Sequence, residues 1–218
     1  MNKAQVITPT ESPLERKGIH YLFPDFQKAQ IIREDGNSSE GNLNYNLLTE
    51  EVIIDLGSSK VAYSQVNDVQ SIRIGETELI PVDGVIYEVL ENGPVSLIVH
   101  RKQTMERTGQ ETGLGRTSGT YSNSTNTYSS EPDFLPTLKD KQILYQLILP
   151  GKFGLIDVNT YYLLHQDELL PLRRWKQLES LYPKISDNLK DFIKKEKLKI
   201  DQEDDLVQAI RFCNMQGN

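Results

Sequence analysis

Arg173, Arg174, Trp175 and Lys176 put three cations and an indole on four consecutive residues, and Lys194 and Lys195 add two more cations farther along. Cations beside an aromatic ring suit an anionic lipid headgroup, a glycan or an acidic protein partner, because they supply charge while the ring supplies a stacking face. Residues 173–199 hold nine Lys and Arg against four acids, a local balance of +5 in a chain of net charge −7. That contrast makes these six residues the candidate partner-binding set. A purely structural reading of them stands beside it: Trp175 falls on the apolar stripe of a helix, and lysines ordinarily cover a solvated helix face.

The other reactive side chains lack a spacing that one chemistry requires. His20, His100 and His165 lie in separate segments beside apolar or aromatic neighbours, without a HExxH-like pattern, and read as strand-end or surface residues. Glu50-Glu51 would point to opposite faces of a strand, and Asp204-Asp205 fits the positive start of a helix. Gly-x-Ser-x-Gly is absent, and Gly113-x-Gly115 has neither a strand feeding it nor a helix after it. Cys213 is the only cysteine, which excludes an internal disulfide, a thiolate metal cluster and a two-cysteine redox motif. No catalytic, cofactor-binding or metal residue is assigned and no cofactor is expected. The alternative is a hydrolase whose site assembles from separated carboxylates such as Asp157 or Asp167. The acidic balance argues against a general nucleic-acid binder, and no apolar run reaches the ~20 residues that cross a bilayer.

The elements that must carry these residues follow from periodicity. Residues 1–18, with Pro9 and Pro13, read as an extended tail. Runs rich in Ile, Val, Leu and Tyr predict strands near 29–34, 43–48, 51–56, 60–64, 69–74, 78–82, 85–90 and 95–102, and again at 141–149 and 155–164. Asp35-Gly36, Leu56-Gly57, Gly75-Glu76, Asp83-Gly84 and Asn92-Gly93 supply tight turns, too short for parallel crossovers. Residues 109–130, almost all Gly, Ser, Thr, Asn and Gln, read as a flexible insertion. After Pro171 the period becomes helical: Leu172, Trp175, Leu178, Leu181 and Tyr182 recur on one side and Pro183 ends the run. Ser186 and Asp201 are read as caps of two further helices. The expected fold is α+β, mainly β: an antiparallel meander domain over 19–170, followed by a 171–218 segment of two or three short helices packed on the sheet.

Several short runs carry a resemblance. They are Tyr21-Leu-Phe-Pro-Asp-Phe26, Leu43-Asn-Tyr-Asn46 and Ile72-Arg-Ile74 before Gly75, then Thr160-Tyr-Tyr-Leu163, Leu181-Tyr-Pro183, Phe192-Ile-Lys-Lys195 with Leu198, Asp204-Asp-Leu206 and Cys213-Asn214. With these in order over 20–214, the chain resembles an uncharacterised β-rich family of exported proteins of Bacteroidota-type Gram-negative bacteria. The resemblance implies a periplasmic or outer-membrane-associated location and carries over no catalytic residues. Met1-Asn-Lys-Ala4-Gln5 shows no signal peptide, which leaves a cytoplasmic location and a scaffold role as the alternative. The expected function is a non-enzymatic interaction module of the cell envelope, an accessory subunit of an outer-membrane or periplasmic protein complex.

Overall fold

The computed structural model describes residues 5–6, 20–63, 66–106, 111–112, 115–116, 143–144 and 154–217. Most of the 1–18 and 109–130 segments, Gly113 included, lies outside the described residues. The chain forms two compact units, Met1–Ile86 with Arg101–Val158 and Tyr87–His100 with Asn159–Asn218.

Following the chain, β1 (Gln5–Val6) precedes a run of hairpins: β2 (Gln27–Arg33), β3 (Ser38–Asn46), β4 (Glu51–Asp55), β5 (Lys60–Ala62), β6 (Val69–Ile74) and β7 (Thr77–Val82). Strand β8 (Val85–Glu91) passes into the second unit, which adds β9 (Ser96–His100). The chain then supplies β10 (Gln103–Glu106), β11 (Glu111–Thr112), β12 (Gly115–Arg116), β13 (Ile143–Leu144) and β14 (Gly154–Asp157) to the first unit. Strands β15 (Thr160–His165) and β16 (Glu168–Pro171) and helices α1 (Trp175–Leu181), α2 (Ser186–Glu196) and α3 (Glu203–Gln216) complete the second.

In the first unit β5, β4, β3, β2, β6 and β7 lie side by side in that order, all antiparallel. Alternation decides their faces. Ala29, Ile31, Leu43, Tyr45, Ile72 and Ile74 point into one core, while Lys28, Gln30, Glu40, Asn42 and Arg73 point away from it. Each fully buried Leu or Ile there contributes about 1.5–3 kcal/mol relative to exposure. In the second unit β8, β9, β15 and β16 pair antiparallel in that order. Leu97 and Leu163 from these strands bury with Leu178 of α1, Leu189 of α2, and Leu206, Ile210 and Cys213 of α3 in one core. The fold class is therefore the expected one, a mainly β antiparallel protein with three C-terminal helices.

Differences from the expected elements have local causes. The 95–102 run ends early, as β9 at His100, with β10 starting beyond it, and the 155–164 run divides into β14 and β15; both breaks fall where the chain passes between units. Strand β3 begins at Ser38, before any apolar residue, because its first five residues pair with β2. It stops at Asn46, whose Oδ1 accepts from the amides of Leu48 (2.8 Å) and Thr49 (3.1 Å) and folds the apolar Leu47-Leu48 into a turn. Of the 141–149 run, only Ile143–Leu144 lies within the described residues; it pairs with β5. Neither predicted cap serves: Ile185 and Gln202 hold the cap positions of α2 and α3 without a side-chain bond. Before α3 the Asp205 carboxylate instead accepts from the Lys199 amide at 2.8 Å. Gly36, Gly57, Gly75 and Gly84 adopt positive φ in their turns, whereas Gly93 does not.

Candidate functional site

The six residues singled out by charge all belong to the second unit. Gln177 anchors the start of α1: its Oε1 accepts from the backbone amides of Arg173 (2.7 Å) and Arg174 (2.9 Å), and its Nε2 donates to the Pro171 carbonyl. With that oxygen capping the helix, the arginine side chains are left exposed. Trp175 is half-buried and packs on the helical core, so its ring serves as a wall of that core. Lys176, Lys194 and Lys195 are exposed.

The Lys190 ammonium stands 4.0 Å from Glu179 and 3.0 Å from Asp187, tying α2 to α1. One helical turn farther from the α1–α2 connection, on each helix, stand Lys176 and Lys194. Among the described residues Arg173, Arg174, Lys176 and Lys194 have no acidic group within 4.0 Å, while Lys195 meets Glu196 at 3.5 Å. The α1 start and α2 thus present cations that no acidic group among the described residues meets within 4.0 Å.

The remaining reactive groups take structural positions. His165 Nδ1 lies 3.0 Å from the Pro94 carbonyl, and His100, at the end of β9, leans on Tyr87. His20 is buried, against the surface or strand-end expectation, with its ring 4.2 Å from that of Tyr21. Burial pushes its pKa down from 6.5 to about 4, so it is neutral in the fold at pH 7. Because the folded pKa lies below the unfolded one, the unfolded chain takes the proton first as pH falls. Stability at His20 is complete above pH 6.5 and is lost on descending to about 4. With the ring still partly reached by solvent, the expected loss is on the order of 1–2 kcal/mol, read as a Tm that falls over that window and falls less in His20→Phe.

Asp157 is exposed and accepts from Gln103 at 2.9 Å in the first unit, while Asp167 sits at the β15–β16 turn of the second with φ of 64°. Glu50 is bonded by Lys102, and Glu203 accepts from the Tyr161 hydroxyl at 3.0 Å. Burial raises the Cys213 thiol to about 12, which leaves it protonated and unreactive. Among the described residues no group of three or more His, Cys, Asp or Glu could hold a metal ion, and no helix is long and apolar enough to cross a membrane.

A second polar surface went unmarked in the sequence. On the outward face of the first unit's sheet, Lys28, Gln30, Glu40, Asn42, Asp55 and Arg73 line a concavity of about 830 Å³. The signal that could have found it is the alternation along β2, where Lys28 and Gln30 interleave with Ala29 and Ile31. The partners across the strands depend on register, which no local pattern states.

The runs that carry the resemblance meet as contacts. Asn44 of the 43–46 run bonds Phe23 of the 21–26 run, and Asn214 of the last run accepts from the hydroxyl of Tyr182 in the 181–183 run. They are therefore packing devices rather than reactive groups. No family model matches the chain, and no curated protein or solved structure matches it either.

Proposed function

We propose that this protein is a non-enzymatic interaction module of the cell envelope, an accessory subunit that docks on an outer-membrane or periplasmic complex through the cationic side of its C-terminal helices. The observation that supports this reading is the set of exposed cations Arg173, Arg174, Lys176 and Lys194, without an acidic partner among the described residues, at the start of α1 and on α1 and α2, helices whose other side is buried in the core. Such cations remain hydrated in the free protein and attract an acidic surface over about a Debye length, ~8 Å at physiological salt. The resemblance supplies the compartment.

The test is to tag the protein at its native locus, extract the envelope in mild detergent and determine what co-purifies and in what ratio. A stoichiometric membrane protein is expected. Its recovery should fall about tenfold when Arg173, Arg174, Lys176 and Lys194 are all changed to Glu, since like charges across an interface slow association and weaken it. Recovery of the protein alone from the soluble fraction, or an association indifferent to the reversal, overturns the reading.

A further inference from the structure

Two cross-strand rows on the outward face of the first unit repeat one chemical order. In the first, Arg73 on β6 stands opposite Gln30 on β2, and Gln30 stands opposite Glu40 on β3. In the second, Lys28 on β2 stands opposite Asn42 on β3, and Asn42 stands opposite Asp55 on β4. Each row reads cation, carboxamide, carboxylate across three neighbouring strands. The rows are two residues apart along β2 and β3, so their side chains rise from the same face. All six line the one concavity of about 830 Å³, a volume within the usual range for small-molecule sites.

A solvated sheet face ordinarily sets opposite charges directly across neighbouring strands, where each pair gains a few tenths of a kcal/mol to about 1 kcal/mol. Here a carboxamide separates cation from acid in both rows. Arg73 leans outward to Glu78 at 3.4 Å and Asp55 outward to Lys60 at 3.7 Å. Among the described residues Lys28 and Glu40 have no oppositely charged group within 4.0 Å. Within the two rows the charge therefore runs from positive on β6 and β2 to negative on β3 and β4, with Arg73 and Asp55 each also paired at the outer edge of its row. With strands ~4.8 Å apart, the two ends of each row are about 10 Å apart.

We propose that this face binds a short zwitterionic peptide laid across the strands, its carboxylate between Arg73 and Lys28 and its ammonium between Glu40 and Asp55. Three extended residues span about 10 Å, which matches the rows. Gln30 and Asn42 then lie under the peptide bonds, where a carboxamide offers both the donor and the acceptor that a backbone amide needs. A neutral glycan would satisfy the carboxamides but would gain nothing from charge of opposite sign at the two ends.

The probe is triglycine, titrated into the isotope-labelled full chain and followed by amide shifts. Saturable shifts are expected at Lys28, Gln30, Asn42 and Arg73, with a Kd on the order of 1 mM. N-acetyl-triglycine and triglycine amide should each bind roughly tenfold more weakly, because each takes away the terminal charge that Glu40 with Asp55, or Lys28 with Arg73, would face. Lys28→Gln should weaken triglycine roughly fivefold and leave triglycine amide unchanged, with the converse for Glu40→Gln and the acetylated peptide. Both side chains are exposed, so the rest of the spectrum reports that the fold is kept. Blocked peptides that bind as well as the free one, shifts that do not saturate, or saturation by maltotriose with none by triglycine each overturn the proposal. The helix variants with reversed charge should bind triglycine unchanged, which separates this site from the docking surface.

Discussion

Replacing Asn44 by alanine is expected to cost about 3 kcal/mol and to loosen the 20–26 segment from its sheet. Asn44 has no exposed surface. Its Oδ1 accepts from the amides of Phe23 (3.1 Å) and Tyr45 (2.9 Å), and its Nδ2 donates to the carbonyls of Phe23 (2.8 Å) and Asp25 (3.2 Å). One short side chain therefore meets both backbone groups of Phe23, as a neighbouring strand would. Alanine leaves those groups without partners, and each buried unmatched group costs about 1–3 kcal/mol less whatever water recovers. Asn44→Asp keeps the acceptor, loses both donors and buries a charge, so it should be at least as damaging. Urea unfolding should show a lower midpoint in both variants, and hydrogen exchange should show the Phe23 amide losing protection. An unchanged midpoint with unchanged exchange at Phe23 would mean that solvent replaces the carboxamide freely.

Gly93→Ala is the second large effect, expected to destabilise the second unit by about 2–4 kcal/mol. At an exposed loop glycine the usual outcome is the opposite, a gain of roughly 0.4–1 kcal/mol, because alanine restricts the unfolded chain. Here a Cβ would lie 2.3 Å from Asn214 Nδ2 and 2.7 Å from its Cγ. Asn214 cannot simply swing aside. Its Oδ1 accepts from the Val95 amide at 3.3 Å and from the Tyr182 hydroxyl, and its Nδ2 donates to the Val95 carbonyl at 3.0 Å. Burial raises the Tyr182 hydroxyl to about 12, so it remains a donor at any pH at which the protein is handled. In an Asn214→Ala background, itself about 2 kcal/mol less stable, the same glycine change should cost under about 1 kcal/mol. The coupling in that double-mutant cycle locates the clash; additive losses would show that Gly93 matters for its backbone alone.

Much of the architecture is legible in local pattern. The hairpin run from β2 to β8 is visible because Ala29, Ile31, Ile72, Ile74 and Leu79 alternate with polar residues, and because Gly36, Gly57 and Gly84 mark turns that need positive φ. Helices α1, α2 and α3 are visible in the spacing of Leu178, Leu189, Leu206 and Ile210. The cationic run from Arg173 to Lys195 is plain in composition.

What local pattern does not contain is who meets whom. The start of β3 at Ser38 is polar and acquires strand structure only by pairing with β2. His20 looks like a surface histidine until the fold closes over it. Gly93 sits in a turn-like dipeptide, yet its constraint comes from Asn214, far along the chain. The order cation, carboxamide, carboxylate does not exist along any strand and arises only when β6, β2, β3 and β4 come into register. The sequence by itself determined element type, turn positions and the charged helical end, because these depend on residues a few positions apart. The tertiary structure alone decided the buried histidine, the two asparagine clamps and the dipolar face, because burial and cross-strand register are set by contacts between distant residues.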